Sequence, residues 1–369
     1  MSRQNSSKRL KKYRDDVQEI TRSILDLALA RQNLTQHIAD EKETSGADIE
    51  NHAVEEKLSS EMTEYAKSSG LDQELARKIV ENLIEYSKIA QRKKIYLKSI
   101  RAHLRSSKVK SVSIFGAGRM GGWFAKYFVD AGSKVLLFDD DKALARKRAR
   151  ELGCGYAKSF EEAAESDLIV IAIPIKATTE ILGKLATYEK TTTATIRIME
   201  ISSVKSEIEK FFSKNILPNN LKVYSIHPLF GSIANAFAVN TLIEIGRDSG
   251  FVKAIFPHYR TFQMSAQNHD RLMATMLTLP HVHALSFANS VARKKIPRDI
   301  HGPSFDHLLE LSKRVLRENE RVYYEIQATN PFADRALVET LNSVRKLRKL
   351  MKDESTFKKF FKETGRVLN

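Results

Sequence analysis

A chain of 369 residues is long enough for two or three domains, and 42% hydrophobic with 29% charged residues is an ordinary composition for a globular protein. No apolar run approaches the roughly 20 residues that span a bilayer, and the first residues lack the apolar block of a signal peptide. A single cysteine, Cys154, excludes an internal disulfide and a cysteine-rich metal site. We therefore expect a cytoplasmic enzyme without a membrane partner or a metal.

The formal net charge of +16 suits a nucleic acid, an anionic surface or a small anionic substrate equally well. The basic residues are spread over stretches at 8–14, 93–105, 146–150 and 346–352, with acidic residues between some of them. Most of these stretches have helical patterns, which favours solvated helix faces and argues against a nucleic-acid partner. A basic protein that senses nucleotides and binds nucleic acid is the non-enzyme alternative.

The first predicted element is one long amphipathic helix, because apolar residues recur at steps of three and four from Leu10 to Ile38. Arg31 and Lys42 fall on the same stripe. A buried cation needs an acid, a carbonyl or an anionic ligand, unless both side chains reach past the stripe to water.

Two further helices complete a predicted helical domain at residues 1–105. One runs from about Asn51 to Ser68 with Glu55 beside its apolar stripe, and the next begins after Asp72 as N-cap and continues to about Leu104. In this last helix Ser87 and Gln91 replace apolar residues at a spacing of four. The pattern predicts a polar pocket inside a helical bundle.

The helical domain resembles the all-helical chorismate mutase family over roughly residues 10–92. The matching positions, in the family's order and spacing, are Arg14, Arg31, Lys42, Glu55, Ser87 and Gln91. Chorismate is a dianion that rearranges without covalent catalysis, so its site needs cations for two carboxylates and donors for the breaking ether bond. The resemblance implies that Arg31, together with Arg14 from a partner chain, binds these carboxylates.

The same resemblance assigns the other side chains of the pocket. It implies that Lys42 and Gln91 meet the ether oxygen, and that Glu55 with Ser87 holds hydroxyl or carboxylate groups.

The chain departs from the family at two positions. It has Val54 where arginine is usual, and Asn51 where aspartate is common. The alternative is therefore a helical domain that is regulatory or dimerising only.

A second pattern, from Val109 to Asp140, predicts a βαβ unit that binds a dinucleotide. An apolar run turns through Gly116, Gly118 and Gly121 into a helix and returns as a second apolar run that ends at Asp139. The glycines permit a tight turn, close approach to a pyrophosphate, and close packing of helix on strand. Asp139 favours NAD over NADP, although basic residues at 142, 146 and 148 leave NADP open.

The predicted cofactor-binding residues also include Arg119 and Met120, which follow the second glycine, and Pro174, which closes a later strand. Strands at about 168–173, 195–201 and 222–226 alternate with helical stretches and predict a parallel doubly wound domain at 109–240. Ligands bind beyond the carboxyl ends of such strands. There the chain places Ser203 and His227, the latter suited to acid–base chemistry.

From residue 241 to 369 the pattern predicts a helical domain that closes this crevice and supplies a dimer surface. The predicted fold is therefore an all-α domain, an α/β Rossmann-type doubly wound domain and an all-α C-terminal domain.

Residues 109 to about 330 resemble prephenate dehydrogenases. The motifs that carry the resemblance are Ser203-Val204-Lys205, His227-Pro228, His269-Asp270 and His281. The order of the two parts resembles the bifunctional chorismate mutase–prephenate dehydrogenases of tyrosine biosynthesis, which implies a homodimer that acts on chorismate and prephenate with NAD.

This second resemblance also assigns residues. It implies that His227 accepts the hydrogen bond of the prephenate hydroxyl as base or polariser and that Ser203 orients His227 and the nicotinamide side. His281 and Tyr323 would line the substrate pocket, and Arg314 would bind a carboxylate. With a helical domain that is regulatory or dimerising only, the chain would instead be a prephenate or arogenate dehydrogenase alone.

Overall fold

The computed structural model describes residues 2–188, 195–246 and 250–368. Three helices, α1 Ser2–Ser45, α2 His52–Ser69 and α3 Gln73–Ser106, form the N-terminal domain. The side chains of Asn51 and Asp72 accept N–H bonds from the first turns of α2 and α3, and Gly70 ends α2 in a left-handed conformation. The predicted helical domain is confirmed.

The first half of α1 extends away from the rest of the chain. Every side chain from residue 7 to residue 27 is exposed. The predicted apolar stripe is part of this surface: Leu10, Tyr13, Val17, Ile20, Ile24 and Leu27 are between 51% and 71% exposed. We call residues 7–27 the arm.

The middle of the chain forms one sheet of eight strands within the described residues, in the order β3-β2-β1-β4-β5-β6-β7-β8. Its strands are β1 Ser111–Phe115, β2 Lys134–Phe138, β3 Gly155–Tyr156, β4 Leu168–Ile171, β5 Ile196–Glu200, β6 Leu221–Pro228, β7 Thr241–Ile245 and β8 Arg260–Met264. All neighbours are parallel except β6 and β7. The strand order reverses between β1 and β4, which is where such sheets open a ligand crevice.

Helices cover both faces of this sheet. They are α4 Arg119–Asp130, α5 Lys142–Leu152, α6 Phe160–Ala164, α7 Ile175–Thr187, α8 Ser206–Lys214 and α9 Phe251–Ile255. One core lies under α4 and α5 and is joined by the end of α3, and a second core lies under α6, α7 and α8. The predicted Rossmann-type architecture is confirmed.

The structure differs from the prediction that the chain is helical beyond Asn240. Strands β7 and β8 extend the sheet to Met264. The three central residues of β7 are all buried, so the strand lacks the alternation of a half-buried strand, and β8 is a short, largely exposed edge strand. Neither strand has a strong periodic signal.

Beyond β8 the described chain is helical, as predicted. Its helices are α10 Ala266–Met273, α11 Leu279–Val291, α12 Pro303–Leu316, α13 Glu320–Thr329, α14 Ala333–Leu350 and α15 Glu354–Leu368, with a π-helical turn at Ala274–Thr278 and a 3-10 turn at Arg298–Ile300. Asn319 caps α13 and separates it from α12.

Aromatic rings join α3 to the sheet domain. The ring of Tyr96 stacks on His258 at 4.8 Å, and Phe237 stacks on the same imidazole at 5.7 Å. Nε2 of His258 donates to the carbonyl oxygen of Ala236 at 2.9 Å, and the hydroxyl of Tyr259 donates to the same oxygen. Burial lowers the pKa of His258 to about 4.

We predict that the His258 interface makes stability depend on pH. The neutral ring is favoured in the folded state, so its contribution is full above pH 6.5 and is lost as the pH falls towards about 4. His258→Phe keeps the stacking, and Ala236 keeps its bond from Tyr259. The free energy of unfolding, measured by thermal unfolding, should decline less between pH 7 and pH 5 in the variant than in wild type, by about 2 kcal/mol. The same decline in both proteins would contradict the prediction.

Candidate active site

Two glycines after β1 allow a contact that no other residue permits. Gly116 has a φ of +104°, and a Cβ atom there would lie 2.4 Å from the carbonyl oxygen of Ala172. A Cβ atom on Gly121 would lie 1.8 Å from the carbonyl oxygen of Gly116. The start of α4 therefore packs directly against the end of β1, as predicted for these positions.

Gly118 differs because a Cβ atom there would meet no protein atom within 4 Å. It is the N-cap of α4 and offers no side-chain cap, so the N–H groups of Arg119 and Met120 begin the helix beside open space. This arrangement fits a pyrophosphate, which the positive end of a helix dipole favours.

Asp139 lies at the end of β2 beside this loop. One carboxylate oxygen accepts the N–H of Ala117 at 2.7 Å, and the other accepts the N–H of Asp141 at 2.9 Å. The carboxylate is thus held in a fixed orientation, with lone pairs left for the hydroxyl groups of a ribose. The residues present fit the dinucleotide for which they were predicted.

The buried His227 at the end of β6 belongs to a hydrogen-bonded chain. Its Nδ1 lies 2.9 Å from Nε2 of His269, and Nδ1 of His269 lies 2.7 Å from Oδ1 of Asp270. All three residues are buried. A carboxylate can only accept, so His269 donates to Asp270 through Nδ1 and accepts the Nδ1 proton of His227 at Nε2. The lone pair of His227 is then on Nε2.

Asp270 is held by the loop that follows β5. Its carboxylate accepts the backbone N–H groups of Lys205 and Ser206, both at 2.8 Å, and the hydroxyl of Ser206. The side-chain amide of Asn330 donates to the Asp270 carbonyl oxygen at 2.8 Å. These bonds connect α10 to the sheet domain and to the loop before α14.

The pKa shifts follow from this burial. Burial lowers the pKa of His269, and burial with the adjacent His269 and Lys205 holds the pKa of His227 well below 6.5. Burial alone raises the pKa of Asp270, but hydrogen bonds from His269, Ser206 and the backbone outweigh it. The site therefore holds two neutral imidazoles and a carboxylate at neutral pH.

Ser203 was predicted to orient His227, and this role stays a prediction; the contact that the structure shows for Nδ1 of His227 is with His269. Ser203 is partly buried on the loop after β5. Its predicted role toward the nicotinamide stays a prediction. His269-Asp270 was visible in the sequence as a motif, but its pairing with His227, 42 residues away, depends on the tertiary fold.

Sequence reasoning missed Glu200, which forms a fully buried ion pair with Lys205. Nζ of Lys205 lies 2.6 Å from Oε1 of Glu200 and donates to the Ile226 carbonyl oxygen at 2.8 Å. This pair supports the backbone immediately before His227. A buried acid within a hydrophobic strand was the available signal.

The predicted substrate residues of the C-terminal domain lie near one another. The rings of His281 and Tyr323 have centroids 4.4 Å apart, and Nε2 of Gln327 lies 3.3 Å from Nδ1 of His281. Burial lowers the pKa of His281 to about 4. Arg314 is exposed on α12. Burial raises the pKa of Tyr323, and the positive charge of Arg314 opposes that shift.

In the helical domain the structure joins Arg31 to Ser87. Nη1 of Arg31 donates to the hydroxyl of Ser87 and, at 2.7 Å, to the carbonyl oxygen of Leu83. Lys42 donates to the carbonyl oxygen of Ile49 at 2.6 Å. Both cations of the stripe thus have carbonyl partners, one of the alternatives that the sequence left open.

The remaining mutase residues divide into a buried and an exposed set. Gln91 is buried, and its Oε1 has no hydrogen-bond partner among the described residues. Glu55 is paired with Lys88 at 3.2 Å, a cation that sequence reasoning missed. Val54 is 60% exposed. Arg14 lies on the arm, exposed and distant from this group.

Comparison with family models assigns all three domains. Residues 13–92 match chorismate mutase type II, residues 124–242 match the prephenate dehydrogenase nucleotide-binding domain, and residues 265–363 match the prephenate dehydrogenase dimerization domain. The T-protein of Haemophilus influenzae is 22% identical over 347 residues, which are 90% of this chain and 84% of that protein. The chain belongs to the family of bifunctional chorismate mutase–prephenate dehydrogenases.

Other relatives match only part of the chain. The "Probable arogenate/prephenate dehydrogenase" of Methanocaldococcus jannaschii is 22% identical over 269 residues, or 69% of this chain, and the chain spans 59% of that relative's length. Among solved structures, a prephenate dehydrogenase from Aquifex aeolicus covers 70% of the chain and 97% of its own, with a TM-score of 0.55 and 19% identity. This likeness shows the fold.

The predicted family, domain order and nucleotide-binding domain are therefore confirmed. No helix in the described ranges is long and apolar enough to cross a membrane.

The glycine geometry predicts different outcomes for two similar substitutions. Gly121→Ala forces a Cβ atom against the Gly116 carbonyl, so we expect both weaker NAD binding and a lower unfolding temperature. A Cβ atom in Gly118→Ala would touch no protein atom, so thermal stability should not change. The same methyl group would occupy space assigned to the pyrophosphate, so the Kd for NAD should rise roughly tenfold. Calorimetric titration and thermal unfolding measure both effects. Wild-type NAD affinity in Gly118→Ala would contradict the assignment of the pyrophosphate.

Proposed function

We propose that this protein rearranges chorismate to prephenate in its helical domain and then oxidises prephenate to 4-hydroxyphenylpyruvate with NAD. The observation that carries the dehydrogenase assignment is the buried chain of His227, His269 and Asp270 at the carboxyl edge of the sheet, where the glycine-rich loop also lies. A dinucleotide and a poised base on one edge are what hydride removal from an alcohol carbon requires.

The hydrogen-bonded chain determines which atom acts as base. Because His269 accepts the Nδ1 proton of His227, Nε2 of His227 is free to accept the proton of the prephenate C4 hydroxyl. The low pKa of His227 keeps this nitrogen unprotonated at neutral pH. Asp270 stabilises positive charge that develops on the imidazoles when the proton arrives.

The driving force comes from the substrate. As the hydroxyl proton moves to His227, the bond from C4 to its oxygen gains carbonyl character and C4 can release a hydride. NAD, when bound, would supply the acceptor for that hydride, and loss of CO2 from the ring carbon opposite C4 makes the ring aromatic. Arg314 would hold a substrate carboxylate, and His281 with Tyr323 would pack against the ring.

Asp139 supports NAD as the cofactor. Its carboxylate is fixed by two backbone N–H groups and is suited to accept hydrogen bonds from ribose hydroxyls. A 2′-phosphate in the same place would meet this negative charge.

The mutase assignment rests on the group formed by Arg31, Ser87, Lys42 and Gln91. Oε1 of the buried Gln91 has no partner among the described residues, and a flip of that amide would turn its N–H donors toward a bound dianion. The cations and amide donors stabilise charge on the ether oxygen as its bond to the ring breaks.

Helix geometry supports a homodimer in which Arg14 serves the partner's site. Arg14 and Lys42 lie on one continuous helix, 28 residues and therefore about 42 Å apart, too far to touch one chorismate. The arm that carries Arg14 exposes an apolar stripe, which a second copy can cover. A cavity of about 1310 Å³ beside Arg31 and Ser87 offers apolar surface at Leu29, Ile79 and Trp123 for such an arm.

Replacement of the base tests the dehydrogenase. His227→Asn should lower kcat for NADH formation from prephenate roughly 10²- to 10⁴-fold and leave chorismate consumption unchanged. The wild-type rate should fall on the acid side only below pH 6.5, and this limb should be absent in the variant. No NADH formation by wild-type enzyme from either substrate would refute the proposed function.

Mixing two inactive variants tests the shared mutase site. Arg14→Ala and Lys42→Ala should each lower mutase activity, roughly tenfold or more, and leave prephenate oxidation intact. Subunit exchange between them should restore about a quarter of wild-type activity, because half of the dimers are mixed and each has one complete site. If Arg14 serves its own chain, mixing restores nothing.

A further inference from the structure

The glycine-rich loop is tied to the substrate domain through one side chain. Arg119, the first residue of α4, places Nη1 2.9 Å from Oε2 of Glu318 and Nη2 3.0 Å from the carbonyl oxygen of Arg317. Residues 317 and 318 lie in the turn between α12 and α13. The guanidinium therefore holds this turn by a charged and a neutral acceptor.

A second tie starts from the middle of α13. Oε2 of Glu325 accepts the N–H of Ile175, the first residue of α7, at 2.6 Å, and Oε1 accepts from Arg321 at 3.2 Å. Glu325 is buried. The N-cap of α7 is Pro174, which provides no side-chain cap, so a carboxylate from another domain satisfies this helix end.

Both ties end at the N-termini of helices that follow β1 and β4, on either side of the point where the strand order reverses. Arg314 precedes the first tie by three residues, and Tyr323 lies between the two. The segment that carries the predicted substrate contacts is thus held across the cofactor groove by polar contacts.

We propose that Arg119 is a positioning residue that couples cofactor binding to substrate binding. This inference rests on the proposed dehydrogenase function. A dinucleotide that orders the glycine-rich loop also orders Arg119, and through Glu318 it orders the turn that positions Arg314 and Tyr323. Because the ordering is shared, each ligand favours the other, and the coupling is reciprocal.

This role differs from that expected of the residue after the second glycine, namely direct binding of a phosphate. A phosphate ligand is needed for NAD affinity whether or not Glu318 is present. A positioning residue is needed for prephenate affinity and depends on Glu318.

The experiment compares Arg119→Ala, Arg119→Lys and Glu318→Gln with Glu339→Gln, which breaks a similar exposed ion pair with Arg335 on α14. Glu318→Gln should raise the prephenate KM roughly threefold to fivefold, with kcat and the Kd for NAD within about twofold of wild type. Arg119→Ala should show at least the same effect, Arg119→Lys should recover part of it, and the control should match wild type.

Hydrogen exchange provides a readout that needs no substrate. Adding NAD alone should protect residues 317–323 in wild type and in the control, but not in Glu318→Gln. Weaker NAD binding in Arg119→Ala, with wild-type KM and protection in Glu318→Gln, would overturn the proposal. If wild-type enzyme oxidises no prephenate, the proposed function fails, and the protection measurement still decides the coupling.

Discussion

The carboxylate of Asp270 is the interaction on which the dehydrogenase half depends. It fixes the tautomer of His269, which fixes His227, and it binds the backbone of the loop after β5. It is paired only through hydrogen bonds in a buried setting, so each donor that is lost leaves charge unsatisfied. The same contact attaches α10 to the sheet, so one carboxylate fixes both the orientation of the base and the position of the helical domain.

The sequence predicts those features whose cause is local. The glycines at 116 and 121 follow from steric contacts within one turn, and the helix cap at Asp72 acts on a residue three positions later. The pairing of His227 with His269 and the cap that Glu325 places on α7 depend on packing between distant segments. Strand β7, buried along its centre, has no alternation by which to recognise it.

Charge has a different use in each half of the protein. In the helical domain the cations Arg31 and Lys42 lie within hydrogen-bond distance of carbonyl groups, so they are oriented before any dianion arrives. In the other half the carboxylates are oriented in a similar way, by hydrogen bonds from backbone N–H groups. These carboxylates are Asp139, Glu200, Asp270 and Glu325. The large basic excess is spread mainly over exposed helix faces, as the distribution along the chain indicates.

The exposed arm has a consequence for symmetry. If the chain pairs with a copy of itself through α1, as proposed, and again through the domain that matches a dimerization domain, it has two self-complementary surfaces. Assembly ends at two chains only if both surfaces share a single twofold axis, and otherwise further chains add to the open surfaces. Helix α3, about 51 Å long and continuous from the mutase bundle to the edge of the sheet domain, is the rigid element that sets the angle between those surfaces.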